Sequence, residues 1–293
     1  MTSQAHRLGL GTAQFGLPYG VANHAGQIGA EDAAAILAAA RVGGIDTLDT
    51  AVAYGESETR LGEIGVMDLR VVTKIPPIEA GVVDAHAWVL DSIVGSLGRL
   101  GLVRCHGVLL HRAHDLAGPH GDAARSALEE AKAQGYVDKI GVSIYDPEEL
   151  ETLSRHLPLD LIQAPFNVLD RRLAESGWLA RLKEGGTEVH TRSVFLQGLL
   201  LMSDGDRPRR FERWRPLWDG WQHWLDQHRL TPVQGALGFG LGHPQIDRLI
   251  VGVDSLRQLG EVLAAADGTA VPLPAGLSCE DPNLINPSRW PTL

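Results

Sequence analysis

Short apolar or β-branched runs alternate along the chain with longer stretches whose apolar residues return every three or four positions. The short runs predict strands over Leu8–Ala13, Thr47–Ala51, Arg70–Ile75, Gly107–His111, Ile140–Ile144, Leu161–Pro165, Glu188–Val194 and Leu249–Val253. The longer stretches predict helices over Ala30–Arg41, Glu56–Ile64, Ala85–Leu100, Asp122–Gln134, Pro147–Leu157, Arg172–Lys183, Arg209–His228 with Thr231–Leu241, and Leu256–Ala266. Glycines at Gly43-Gly44, Gly65, Gly101, Gly135 and Gly185-Gly186 follow helical stretches, where a residue without Cβ turns left-handed at no steric cost. Asp146-Pro147 reads as a helix start, with a capping carboxylate and a proline in the first turn.

Eight strand-helix units with no internal linker predict a single α/β domain, a closed (β/α)8 TIM barrel spanning residues 1–293. An open doubly wound sheet alternates in the same way, but it carries a Gly-x-Gly-x-x-Gly loop after its first strand. The opening Leu8-Gly9-Leu10-Gly11-Thr12-Ala13 lacks that spacing.

Composition narrows the function classes. With 36 acidic and 26 basic residues the formal net charge is −10, which argues against nucleic acid or anionic lipid as a partner. The two cysteines, Cys105 and Cys279, are too few for a disulfide framework and read as free thiols in a reducing compartment. The first residues lack the apolar stretch of a signal peptide, and no run of 18 apolar residues occurs, so a cytoplasmic, membrane-free location is expected.

Barrels of this kind place their chemistry at the C-terminal ends of the strands. There the sequence puts Asp49 and, shortly after, Tyr54 on the second strand, Lys74 on the third and His111 on the fourth. An ammonium beside a phenol lowers its pKa, a carboxylate keeps a buried ammonium charged, and an imidazole can hold a substrate oxygen. The set forms an acid aimed at a carbonyl oxygen, with no nucleophile and no metal, suited to reduction by hydride from an external donor.

Asp49-Thr50-Ala51-x-x-Tyr54-Gly55, with Leu8-Gly9-Leu10-Gly11-Thr12, Thr73-Lys74, Leu109-Leu110-His111, Gly141-Val142-Ser143 and Ile162-Gln163 in the same order, resembles the aldo-keto reductase superfamily over nearly the whole chain. The resemblance implies a catalytic tetrad of Asp49, Tyr54, Lys74 and His111, with Tyr54 as the general acid of reduction. It implies NADPH as cofactor, with NADH as the alternative, bound without a Rossmann domain. Carboxamide contacts then fall on Ser143 and Gln163, pyrophosphate contacts on Ser193, Phe195 and Gly198, and the phosphate and adenosine end on Gly252, Asp254, Gln258 and Glu261. Thr12 and Asp49 complete the cofactor set.

Several positions depart from the family pattern. Ile144 stands where many relatives carry Asn or Arg, and Arg192 where an aromatic residue often stacks on the nicotinamide; its guanidinium stacks in turn or pairs with a substrate anion. No lysine follows Gly252, and Asp254 repels a nearby 2′-phosphate, leaving Arg257, Arg207, Arg209, Arg210 or Arg213 to supply a compensating charge.

The expected activity is reduction of an aldehyde or ketone, sugar carbonyls included. Its alternatives are an aldose or alcohol dehydrogenase running backwards, or a low-turnover cofactor sensor on the same fold. The expected partner is a small-molecule carbonyl compound, and the expected state a monomer or small homo-oligomer. His111-Arg112-Ala113-His114-Asp115 offers no third ligand cluster, so no metal is expected. Trp214, Trp218, Trp221 and Trp224 lie on roughly one helix face and are expected to pack on the barrel, the alternatives being an interface or a sugar-stacking wall; the tail 269–293 is expected either over the barrel mouth, as the resemblance implies, or as a structural strap.

Overall fold

The computed structural model describes residues 4–23, 25–153, 159–267 and 271–292. Eight strands, β1 (Leu8–Gly11), β2 (Thr47–Asp49), β3 (Arg70–Ile75), β4 (Cys105–Leu110), β5 (Val137–Ser143), β6 (Leu161–Pro165), β7 (Glu188–Arg192) and β8 (Arg248–Gly252), close into a barrel in sequence order. Every neighbouring pair is parallel, and β8 returns to β1 with Leu10 opposite Val251. Around it run α1 (Ala30–Val42), α2 (Ser57–Ile64), α3 (Ala85–Leu100), α4 (Gly121–Ala133), α5 (Glu149–Leu153), α6 (Trp178–Glu184), α7 (Arg215–His228), α8 (Pro232–Leu241) and α9 (Leu256–Ala265). The main apolar core lies between sheet and helices, with Leu10, Ile36, Leu37, Leu61, Ile93 and Leu249 among its buried members.

Departures from the expected boundaries have local causes. The predicted helix Arg172–Lys183 is broken at Gly177, whose φ of 80° ends the first turn and starts α6. The predicted helix Arg209–His228 opens as a 3-10 turn over Arg209–Trp214, and α7 begins only where Pro216 can occupy a first-turn position. The helix expected over Pro147–Leu157 is described as Glu149–Leu153, and its residues 154–157 lie outside the described residues. Several strands stop short of their expected ends because the chain turns into the rim at Thr12, Thr50 and Val194.

Alternate residues of a strand share a face, so side chains two positions apart stack along the barrel axis. Val72, Leu109 and Leu161 form a small apolar cluster apart from the main core. Two positions beyond them stand Lys74, His111 and Gln163. The same spacing relates His190 to Arg192 and Gly141 to Ser143, so the strands deliver a ring of polar groups above an apolar plug.

The tryptophans do not pack on the barrel core. Trp214, Trp218, Trp221 and Trp224 are buried in a second cluster with Leu196, Leu199, Leu200, Leu277, Leu284, Ile285 and Trp290. Each indole N–H finds an acceptor as it is buried: Trp218 donates to the Phe211 carbonyl (2.9 Å), Trp221 to Leu200 (2.9 Å), Trp224 to Pro272 (3.2 Å) and Trp290 to Leu284 (3.1 Å). The described part of the tail, 271–292, therefore straps α7, and none of it lines the cleft at the barrel mouth.

Candidate active site

The barrel mouth opens into a cleft of about 380 Å³. Behind its wall Lys74 is fully buried, and burial is the main influence lowering its ammonium's pKa, opposed by Asp49. Its Nζ donates to Asp49 Oδ1 (2.7 Å), Asp49 Oδ2 (2.8 Å) and the Thr50 carbonyl (2.9 Å). An ammonium has three hydrogens, so this set uses all of them. Gln163 Nε2 adds a further bond to Asp49 Oδ2 at 2.6 Å, which leaves Gln163 Oε1 buried without a partner.

Tyr54 stands on a tight turn after β2. Its N–H donates to the Ala51 carbonyl (3.0 Å) and its own carbonyl accepts from Ser57 N–H (3.1 Å). Gly55 takes φ +56°, and a Cβ on Gly16 would lie 1.8 Å from the Tyr54 oxygen, so two glycines let this turn seat against the first loop. The Tyr54 ring meets His111 edge to face, with centroids 5.9 Å apart, and Lys74 Nζ lies 5.1 Å from the Tyr54 centroid.

The charge states differ from the expectation for a lysine-assisted phenol. Burial first, and the Asp49 carboxylate second, push the Tyr54 hydroxyl well above the ordinary tyrosine value, with only Arg192 pulling it down. Lys74 does not lower it, because that ammonium is matched by Asp49 at contact distance. Burial, then Lys74 and Arg192, depress His111 to about 4. At neutral pH the cleft therefore presents an intact phenol beside a neutral imidazole.

Arg192 donates to the Ile144 carbonyl (3.0 Å) and Ser193 Oγ (3.3 Å), and its Cζ lies 4.3 Å over the Tyr145 ring. After it, Ser193, Leu196 and Gln197 hold φ of 61°, 48° and 52°, left-handed conformations that cost non-glycine residues about 1–3 kcal/mol each. The loop is fixed on both sides. Asn167 Nδ2 donates to the Ser193 carbonyl (3.0 Å), Trp221 holds Leu200, and Gln197 Nε2 donates to Tyr19 Oη (3.2 Å). The tryptophan cluster thus braces a strained cleft wall.

Thr12, Asp49, Tyr54, His111, Gln163, Arg192, Ser193, Phe195, Gly198, Gly252, Asp254 and Gln258 all line the cleft. Three predicted residues do not: Lys74 sits behind Asp49, Ser143 is buried on β5, and Glu261 points along α9 to pair with Arg257. That pairing also engages Arg257, while Arg207 and Arg213 pair with Asp204 and Asp281 and lie against Trp218 and Trp214. In the loop after β4, Asp115 accepts from Arg112 (2.7 Å) and from the Ile78 N–H (3.0 Å). Among the described residues no group of three metal-ligating side chains occurs.

Sequence reasoning missed Gln14, Tyr19, Asn23, Tyr145 and Gln197, which also line the cleft. Tyr145 had a signal, since it lies two residues past Ser143 at a strand end. Gln14 lies on the one-turn helix Ala13–Gly16 and Gln197 in a 3-10 turn, both too short to show a period, and Tyr19 and Asn23 sit between elements.

Comparison with known proteins agrees with the barrel fold. The model of the aldo/keto reductase family matches residues 7–272. The chain is 30% identical over 203 residues to D-threo-aldose 1-dehydrogenase of Pseudomonas sp, covering 64% of this chain and 59% of that one. It is 38% identical over 128 residues to 2,5-diketo-D-gluconic acid reductase B of Corynebacterium sp. (strain SHS752001), covering 42% and 44%. The matches thus span less than two thirds of either relative's own length. An aldo-keto reductase structure from Bacillus halodurans superposes with a TM-score of 0.72 at 23% identity, covering 92% of this chain and 89% of that one, a likeness of fold alone.

Proposed function

The chain belongs to the aldo/keto reductase family, and from that premise we propose that it reduces the carbonyl group of a small polyhydroxylated compound, with Tyr54 as the proton donor and a nicotinamide dinucleotide as the hydride source. The cleft suits such a cofactor on two observations. Gln163 Oε1 is a buried acceptor without a partner, able to take an amide N–H, and Gly11, Gly198 and Gly252 leave stretches of the cleft wall free of side chains. When bound, the dinucleotide supplies the hydride that reaches the carbonyl carbon.

The protein's part is the proton. His111, neutral above about pH 4, donates one N–H to the carbonyl oxygen and holds it beside Tyr54. As negative charge develops on that oxygen, the Tyr54 O–H bond breaks and its proton moves to it, giving the alcohol and a phenolate that solvent reprotonates. Lys74 acts at one remove, fixing Asp49 and, through Gln163, the floor of the cleft.

The observation that carries the reading is geometric: the Tyr54 and His111 rings meet edge to face with centroids 5.9 Å apart and both line the cleft, so one carbonyl oxygen can lie against both groups. A protonated Tyr54 is the acid of reduction and its phenolate the base of oxidation, so the same pair serves either direction and the redox state of the dinucleotide decides between them. The two relatives bear the names of an aldose dehydrogenase and a diketo sugar-acid reductase, which supports a sugar-like carbonyl compound as substrate.

Tyr54→Phe tests the proposal. Turnover of aldoses and short aldehydes is expected to fall at least about a thousandfold, in line with loss of a proton donor and its orientation, while cofactor affinity read by nucleotide fluorescence stays within about threefold. Turnover within tenfold of the parent would remove Tyr54 as the acid.

A further inference from the structure

The cleft's charges are unevenly placed. Among the described residues lining it, Arg192 is the single lysine or arginine, and it is turned toward the β5 end, onto Ile144 and Tyr145. At the β8 end the lining residues are Gly252, Asp254 and Gln258. α9 begins there, capped by Ser255, and packs in the outer ring against α1 and α8. The β8 end is thus outside the axis on which Tyr54 and His111 stand.

Asp254 is held rigidly. Its N–H donates to Gln258 Oε1 at 2.7 Å, and the Gln258 N–H donates to Ser255 Oγ at 3.2 Å. Its carboxylate is half-buried, with Oδ1 lacking a partner. Among the described residues no lysine or arginine pairs with it, and Arg257, three residues on, pairs with Glu261 on the exposed side of α9. The Gln258 and Gln14 side chains hydrogen-bond the carboxylate, and the oxygen left unpartnered can accept from the hydroxyls of a ribose, while the charge repels a phosphate on the same sugar.

We propose that Asp254 selects NAD(H) over NADP(H), accepting hydrogen bonds from the adenosine ribose hydroxyls and rejecting the 2′-phosphate for want of any cation at that end of the cleft. The inference rests on the dinucleotide reading above and replaces the NADPH expected from the family resemblance. One cleft is lined by Tyr54 and His111 and also by Gly252, Asp254 and Gln258, so a dinucleotide with its reacting end near the first pair would bring its other end to Asp254. Arg192 cannot serve both ends, being engaged across the mouth.

Binding rather than turnover decides it. NADH and NADPH are titrated separately by nucleotide fluorescence against the purified protein, Asp254→Asn and Asp254→Arg. NADH is expected to bind the parent at least tenfold tighter. Asp254→Asn is expected to narrow that ratio at least fivefold, chiefly by tightening NADPH, and Asp254→Arg to invert it. Added salt is expected to narrow the parent's ratio by screening. NADPH binding the parent as tightly as NADH, or a ratio unmoved in Asp254→Asn, overturns the inference and leaves the dinucleotide reading standing. Failure of both nucleotides to bind the folded parent overturns both.

Discussion

The barrel carries a carboxylate gripped by side-chain donors at each end, Asp49 buried and Glu188 partly buried, and the two are used differently. At the rim Asp49 accepts two bonds from Lys74 and one from Gln163, with the cleft directly in front of it. At the floor Glu188, the first residue of β7, accepts from His106 (3.1 Å), His190 (2.6 Å) and Lys139. Burial alone would raise the Glu188 pKa, but these three donors override it and hold the group well below the ordinary carboxylate range. Both ends thus pair an acid with cationic or imidazole donors. The rim cluster faces the cleft, where a phenol and an imidazole, Tyr54 and His111, stand beside it. Buried charge by itself therefore does not mark the site; the difference lies in what remains open to a ligand.

The sharpest way to break that contrast is Lys74→Met. It leaves Asp49 with Gln163 as its remaining side-chain donor in a site 3% exposed. Removing one partner of a buried ion pair costs about 3–5 kcal/mol, so urea unfolding is expected to show a loss of that order. Turnover is expected to drop about a hundredfold or more, because Asp49 and Gln163 lose their fixed positions beneath the substrate. If stability fell while kcat held, the rim cluster would be structural in the same sense as the floor.

A smaller effect distinguishes the two ends by pH. His111 is depressed from 6.5 in the unfolded chain to about 4 in the folded protein, so between those values the unfolded state binds more protons. Its contribution is complete above about pH 6.5 and is lost as pH falls toward 4, a total of about 3 kcal/mol at about 1.4 kcal/mol per unit. His111→Asn is expected to flatten the fall in unfolding free energy over this window. His190, depressed chiefly by burial, leaves a residual slope of the same sign. An unchanged profile in His111→Asn would place the whole acid sensitivity at the floor.

These features were unequally legible in the sequence. The strands were, because β-branched runs between glycine-marked helices leave little choice of element, and β3 and β6 fall on their expected residues. Asp49, Tyr54, Lys74 and His111 were legible because a strand end is a known address on a barrel. The protonation state of Tyr54 was not. It depends on burial and on Asp49 absorbing the Lys74 charge, and neither follows from spacing. The tryptophan stripe announced burial, since four indoles on one face need cover, but period says nothing of which segment supplies it. The tail did so through Leu277, Leu284 and Trp290. Tyr19 and Gln14 were invisible because a loop and a one-turn helix are too short to carry a repeat.

The smallest expected effect is the most telling for the floor. Glu188→Gln keeps the side chain's shape, retains one acceptor oxygen and removes the charge that His106, His190 and Lys139 share. Hydrogen bonds to charged groups are worth about 1.5–3 kcal/mol each, but a glutamine still accepts from one of the three donors and His106 and Lys139 reach partial solvent, so the net loss is expected near 2 kcal/mol. Because Glu188 contributes as a carboxylate, that loss is full above the unfolded carboxylate pKa and vanishes as pH falls through the folded one. Kcat and KM are expected to stay within about twofold, since no floor residue lines the cleft. A tenfold fall in kcat would mean that the two ends communicate along the axis, through His190 and its cross-strand partner Gln163, and the contrast between a working rim and a structural floor would fail.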